Sequence, residues 1–106
     1  KAANDHQKDQ SKTGKTGHIG RDGSNSKERI ERYGKWQVRI AENIAYGNTS
    51  ARQIVIFLLI DDGVKNRGHR ANLLQADFKS IGVACGSHPQ YNTMCVMDFA
   101  GGIKNN

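Results

Sequence analysis

The sequence of 106 residues predicts an α+β fold with a small antiparallel sheet, and three observations carry that prediction. Near the C-terminus Ile81, Val83 and Cys85 alternate with smaller or polar residues. After the turn-forming stretch GSHPQYNT, Cys95, Met97 and Phe99 alternate in the same way, which is the pattern of a β-hairpin. Before it, Ser50 and Gln53 have the spacing of a helix capping box and open the apolar block IVIFLLI at 54–60. Earlier still, Trp36, Val38 and Ile40 alternate with polar residues, as a half-buried strand does.

Each element follows in chain order. The opening KAANDHQKDQ reads as the tail of a helix and carries no signal-peptide pattern. The chain is therefore expected to continue upstream, with its first helix truncated. From Ser11 to Ser26 the sequence is polar with four glycines, and a loop of that length in a compact domain usually has a function. GKTG within it lacks the GxxxxGK[ST] spacing of a phosphate loop. Asn25 and Glu28 form a capping box for a short helix KERIERY, closed by Gly34. After the strand on Trp36, Val38 and Ile40, AENIAYGN reads as a turn-like segment. The helix ARQIVIFLLID is apolar nearly all round, so it is expected to be central and buried and to end at Gly63. GHRANLLQ can form one or two further helical turns.

A hairpin register that pairs Cys85 with Cys95 also pairs Val83 with Met97 and Ile81 with Phe99. The large apolar residues then share one face. Opposed residues in a non-hydrogen-bonded pair have Cα atoms about 4.5 Å apart, within disulfide reach. A Cys85–Cys95 disulfide is expected, with two reduced core cysteines as the alternative.

Length argues for a single domain over residues 1–106. The net charge is +6, yet the basic residues do not form a stripe. Residues 1–53 hold 11 Lys/Arg against 6 Asp/Glu, and residues 54–106 hold 5 against 4, interleaved as in KERIER. This is a solvated basic surface suited to anionic lipid or polysaccharide, and not a nucleic-acid interface. No apolar run approaches the roughly 18 residues a membrane span needs, so the chain is not expected to be transmembrane. Two cysteines without a CxxC give neither a disulfide scaffold nor a zinc knuckle.

Three segments place a titratable side chain where local structure does not demand one: TGHIGRDGS (His18), AENIAYG (Glu42) and NRGHRANLL (His69). Together with IGVACG and the closing MCVMDFAGG, and in this order, they resemble the bacterial-type (SCP-like) CAP domains. That superfamily contains the cysteine-rich secretory proteins, antigen 5 and pathogenesis-related protein 1. The resemblance implies a three-layer α/β/α sandwich with a small antiparallel sheet and a central cleft of two histidines and two acids. Carried onto this chain, the cleft residues are His18, Glu42 and His69, with Asp61 or Asp62 as the second acid. Ala41 departs from the family's usual glycine before that glutamate.

Two imidazoles and one or two carboxylates suit zinc or another divalent ion with an open position, or they share protons without a metal. Gly68 lets the backbone turn so that His69 is aimed into the cleft while Leu73 and Leu74 anchor the turn. Each residue also has a plainer role. His69 could hydrogen-bond solvent, Glu42 could satisfy backbone N–H groups, and His18 could be an exposed loop residue. His6 and His88 read as structural, and Asn43 and Asn72 as turn locks. Tyr46 could line the cleft or edge the core, and Arg70 could be a rim cation or pair with an acid.

The leading function is a secreted, extracellular or periplasmic binding domain, with a divalent-ion cleft and a lipid (sterol or fatty acid) or cell-surface partner, as the resemblance implies for some members. It is expected to act as a monomer or as part of a larger protein. One alternative is a metal-dependent, peptidase-like hydrolase with His18, Glu42 and His69 as catalytic candidates and Glu42 as general base. Against it, HExxH is absent and no nucleophile stands beside a histidine. The other alternative is a structural or interaction module with an inactive cleft.

Overall fold

A computed structural model of the chain describes residues 1–47, 50–60 and 68–105, without the side chains of Ala51, Phe57, Leu59, Ile60, Lys104 and Asn105. The described elements run α1 (Ala2–Thr13), α2 (Ser26–Glu31), β1 (Gly34–Tyr46), α3 (Ala51–Ile60), α4 (Gly68–Leu74), β2 (Ser80–His88) and β3 (Asn92–Asn105). The three strands form one antiparallel sheet in the order β1-β3-β2, so β3 is paired on both sides.

Strand alternation divides β3 between two helical layers. Met94 and Val96 point to one face, where Ala3 of α1 and Ile44 of β1 pack on them. Cys95, Met97 and Phe99 point to the other, under Ile54 and Leu58 of α3, with Leu73 of α4 and Phe78 against that cluster. The result is an α+β domain with helices on both faces of the sheet.

The hairpin has the expected register: Cys85 opposes Cys95, Val83 opposes Met97 and Ile81 opposes Phe99. Cys85 and Cys95 are disulfide-bonded, with their Cα atoms 4.1 Å apart. The first capping box holds in full, and the second shows its Ser50 bond. Asn25 accepts from Glu28 N while the Glu28 side chain accepts from Asn25 N. Gln53 N donates to Ser50 Oγ at 3.1 Å.

Other expectations need correction. AENIAY is strand, not turn: Ala41 to Tyr46 pair residue by residue with Phe99 to Met94. Ala, Glu and Asn are weak strand formers, and pairing with the apolar row of β3 overrides that preference. Val38 does not sit half-buried in a regular strand. It lies in a bulge between Gln37 and Ile40, with φ of 70° and its side chain exposed. Gly101 lies against this bulge, where a Cβ would come within 2.5 Å of the Gln37 carbonyl oxygen. Only glycine fits there.

The polar N-terminal stretch is helical to Thr13 and becomes loop only after Gly14, whose φ of 71° ends α1. Helix α3 covers the sheet and is not a central helix. Ile54 and Leu58 are buried, whereas Val55 and Ile56 face outward. Leu73 packs on the core but Leu74 is 61% exposed. Gly63 lies outside the described residues. No helix among the described residues is long and apolar enough to cross a membrane.

Candidate functional site

Glu42 is placed by parity. Its neighbour Asn43 points to the α4 side of β1, so Glu42 points to the α1–α2 side, directly opposite Asp98 of β3. The capping box fixes the start of α2, and Arg29, on its second turn, reaches inward to the sheet. Arg29 Nη2 donates to both Glu42 oxygens, at 2.8 Å to Oε1 and 2.7 Å to Oε2, and both side chains are 2% exposed. Arg29 Nη1 donates to the carbonyls of His18 (3.0 Å) and Ser24 (2.8 Å), tying the 14–25 loop to the same cation. His18 then turns its ring back, and Nδ1 donates to Glu42 Oε1 at 2.9 Å from a half-exposed position.

Further bonds hold the loop down. His6, buried in α1, donates from Nε2 to the Gly17 carbonyl at 2.8 Å, and Gln10 Nε2 donates to the same oxygen at 2.8 Å. Gly17 N donates to Tyr46 Oη at 3.0 Å, and Tyr46 Oη donates to Gln10 Oε1 at 2.6 Å. His88 donates from Nε2 to the Lys15 carbonyl and accepts at Nδ1 from the N–H groups of Gln90 and Tyr91.

The two opposed acids titrate in opposite directions. Burial pushes Glu42 upward, but the bond from His18, the neighbouring Asp98 and the Arg29 guanidinium outweigh it and hold the carboxyl at about 2. Burial pushes Asp98 upward and the adjacent Glu42 adds to it, to about 9. Glu42 acts on Asp98 through a side-chain hydrogen bond, which the protonated Asp98 donates, as well as through its charge. One buried guanidinium thus supports one buried carboxylate, and the second acid stays protonated at neutral pH.

The structure brings His18 and Glu42 together and does not bring His69 to them. His69 lies on α4, where its carbonyl accepts from Asn43 Nδ2 at 3.0 Å, on the far side of β1 from Glu42. Asn72 Nδ2 donates to Asn43 Oδ1 at 2.8 Å. Asn43 and Asn72 therefore link α4 to β1, where turn locks were expected. Asp61 and Asp62 lie outside the described residues. A divalent ion fits this arrangement poorly, because a guanidinium already engages both Glu42 oxygens and would sit against the metal. Among the described residues no group of three or more His, Cys, Asp or Glu side chains is arranged to hold a metal ion.

The profile of the cysteine-rich secretory protein family, CAP, matches residues 1–99. The chain belongs to the CAP family. No curated protein and no solved structure matches it significantly. In this CAP domain Arg29 and Asp98 are the site residues that sequence reasoning missed. The readable signal for Asp98 was a carboxylate within the apolar run MCVMDFA, on the same parity as Met94 and Val96. Arg29 carried no comparable signal, since KERIER reads equally well as a solvated helix face.

Beside this network lies a groove of about 520 Å³ between the start of α1, the end of α2 and the β2–β3 surface. Asp98 forms part of its wall, with Ala2, Ala3, Ile30, Tyr33 and Ala100.

Proposed function

We propose that this CAP domain is an exported binding module that takes an apolar or amphiphilic small molecule in the groove beside Asp98. The observation that carries the reading is the engagement of Glu42 inside the fold. Both of its oxygens are bound by Arg29, a third bond comes from His18, and its carboxyl lies near 2. A carboxylate so strongly acidic and so fully hydrogen-bonded is a poor general base at neutral pH. This favours binding over hydrolysis. The groove mixes apolar side chains such as Ile30 and Phe99 with polar groups such as Lys1 and Ser80, and its volume is in the range of small-molecule sites. The disulfide supports an oxidising compartment, as does membership of a family named for secretion.

The test is uptake of N-phenyl-1-naphthylamine, an uncharged fluorescent probe, together with an assay for peptide and ester hydrolysis. One-to-one saturable uptake without turnover is the expected result. Hydrolysis that disappears in Glu42→Gln would overturn the reading in favour of an enzyme.

A further inference from the structure

The two outer edges of the sheet are unlike. The β1 edge carries the exposed charges Lys35 and Arg39 and the bulge between Gln37 and Ile40. Charges and bulges are what keep a sheet edge from pairing with another strand. The β2 edge has neither. SIGVACGSH holds no Lys, Arg, Asp, Glu or Pro, and its register with β3 runs from Ser80 to His88 without a shift. Its exposed residues are Ile81, Val83, Cys85 and Ser87, while Ala84 packs toward α1.

The backbone turns the same four residues outward. The Cα atoms of Cys85 and Cys95 lie 4.1 Å apart, the spacing of a pair that exchanges no backbone hydrogen bonds. By alternation Ile81, Val83 and Ser87 stand in such pairs too, so their N–H and C=O groups point away from β3. Gln7 Nε2 donates to the Ser87 carbonyl at 3.4 Å and closes that end. Left open are the backbone groups of Ile81, Val83 and Cys85, beside the exposed side chains of Ile81 (57%) and Val83 (59%). No β2 residue joins the core cluster under α3.

We propose that β2 is a dimerisation edge, pairing antiparallel with β2 of a second copy and joining the two three-stranded sheets into one. The open set is symmetric about Val83. A two-fold axis there sets Val83 against Val83 of the copy and Ile81 against Cys85, and each pair exchanges both of its bonds. Each copy carries a net charge of +6, and this seam brings no charged residue opposite another, since Lys79 falls opposite Ser87. Head-to-tail pairing of β2 on β1 would meet Lys35, Arg39 and the bulge, so association closes at two chains. The dimer does not depend on the groove's binding a ligand.

The experiment is sedimentation equilibrium of the full chain, with isotope-filtered NMR on a mixture of labelled and unlabelled chains and melts to confirm folding. The seam is short, so the dimer should be weak and should fill between about 10 μM and 1 mM. An amide-to-amide NOE between Ile81 and Cys85 should appear between labelled and unlabelled chains, because within one strand these residues lie roughly 13 Å apart. Val83→Lys faces two ammonium groups across the axis and should weaken association at least about tenfold. Val55→Lys adds the same charge on the exposed face of α3 and should leave association near wild type. A monomer at every concentration would overturn the proposal, and a monomer that takes an alternating Val/Thr peptide at 81–85 would give the edge to an extended ligand instead. A dimer that persists in Val83→Lys, or one that Val55→Lys weakens equally, would overturn it as well. The NOE decides the matter on wild type alone should a variant fail to fold.

Discussion

Arg29 sets one nitrogen, Nη2, between the two oxygens of Glu42, at 2.8 and 2.7 Å, with both side chains almost fully buried. A loop, a helix and a strand converge on this contact, since Nη1 of the same guanidinium holds the His18 and Ser24 carbonyls. Removing either partner leaves a buried charge alone. Arg29→Met should cost roughly 3–5 kcal/mol of stability, whereas Arg29→Met combined with Glu42→Leu should recover a large part of it. Denaturant unfolding of the two variants checks this.

Asp98 should make the domain less stable as pH rises. Its carboxyl titrates at 3.8 in a free chain and at about 9 in the fold, so the folded state holds the extra proton between those values. Stability therefore falls with rising pH over that window, by up to about 1.4 kcal/mol per pH unit, and levels off above about 9. Glu42 has the opposite sign. It titrates at 4.5 when free and about 2 in the fold, so its contribution is present above 4.5 and is lost as pH falls toward 2. Unfolding free energies of wild type and Asp98→Asn, compared from pH 5 to 9, should diverge, with the variant increasingly the more stable. Parallel curves would place Asp98 in water.

The hairpin and both helix starts were legible because each rests on short-range rules. Paired alternation fixed the Cys85–Cys95 register, and Asn25–Glu28 and Ser50–Gln53 are local spacings. What was not legible depends on contacts distant in sequence. AENIAY becomes strand only because β3 is there to pair with it, and KERIER hides a buried arginine because Glu42 lies 13 residues ahead. His69 shows the same limit from the other side. Its place in the motif suggested convergence with His18 and Glu42, but the one-residue step from Glu42 to Asn43 sends the α4 contact to the opposite face of β1.

Helix α3 should respond unevenly to truncation. Leu58 is fully buried against Met97 and Phe99, so Leu58→Ala should cost about 2–5 kcal/mol. Val55 is 44% exposed, and Val55→Ala should change stability by about 0.5 kcal/mol or less. Equal losses at the two positions would contradict the placement of the helix.

The Cys85–Cys95 bridge closes a short loop, with a sequence separation of 10. Thiol titration of the unfolded, unreduced protein should find no free thiol. The double variant Cys85→Ser, Cys95→Ser should lose about 2–4 kcal/mol. An unchanged melting temperature would make the bridge incidental to the hairpin.

Calorimetric titration with zinc separates Glu42 as a structural acid from Glu42 as a metal ligand. With Arg29 bound to both carboxylate oxygens, wild type at pH 7 should show at most weak, nonspecific heat that is the same in His18→Ala, His69→Ala and Glu42→Gln. The contrary result would be one-to-one binding that strengthens from about pH 5.5 to 7.5, as two imidazoles lose their protons, and that each of the three substitutions abolishes.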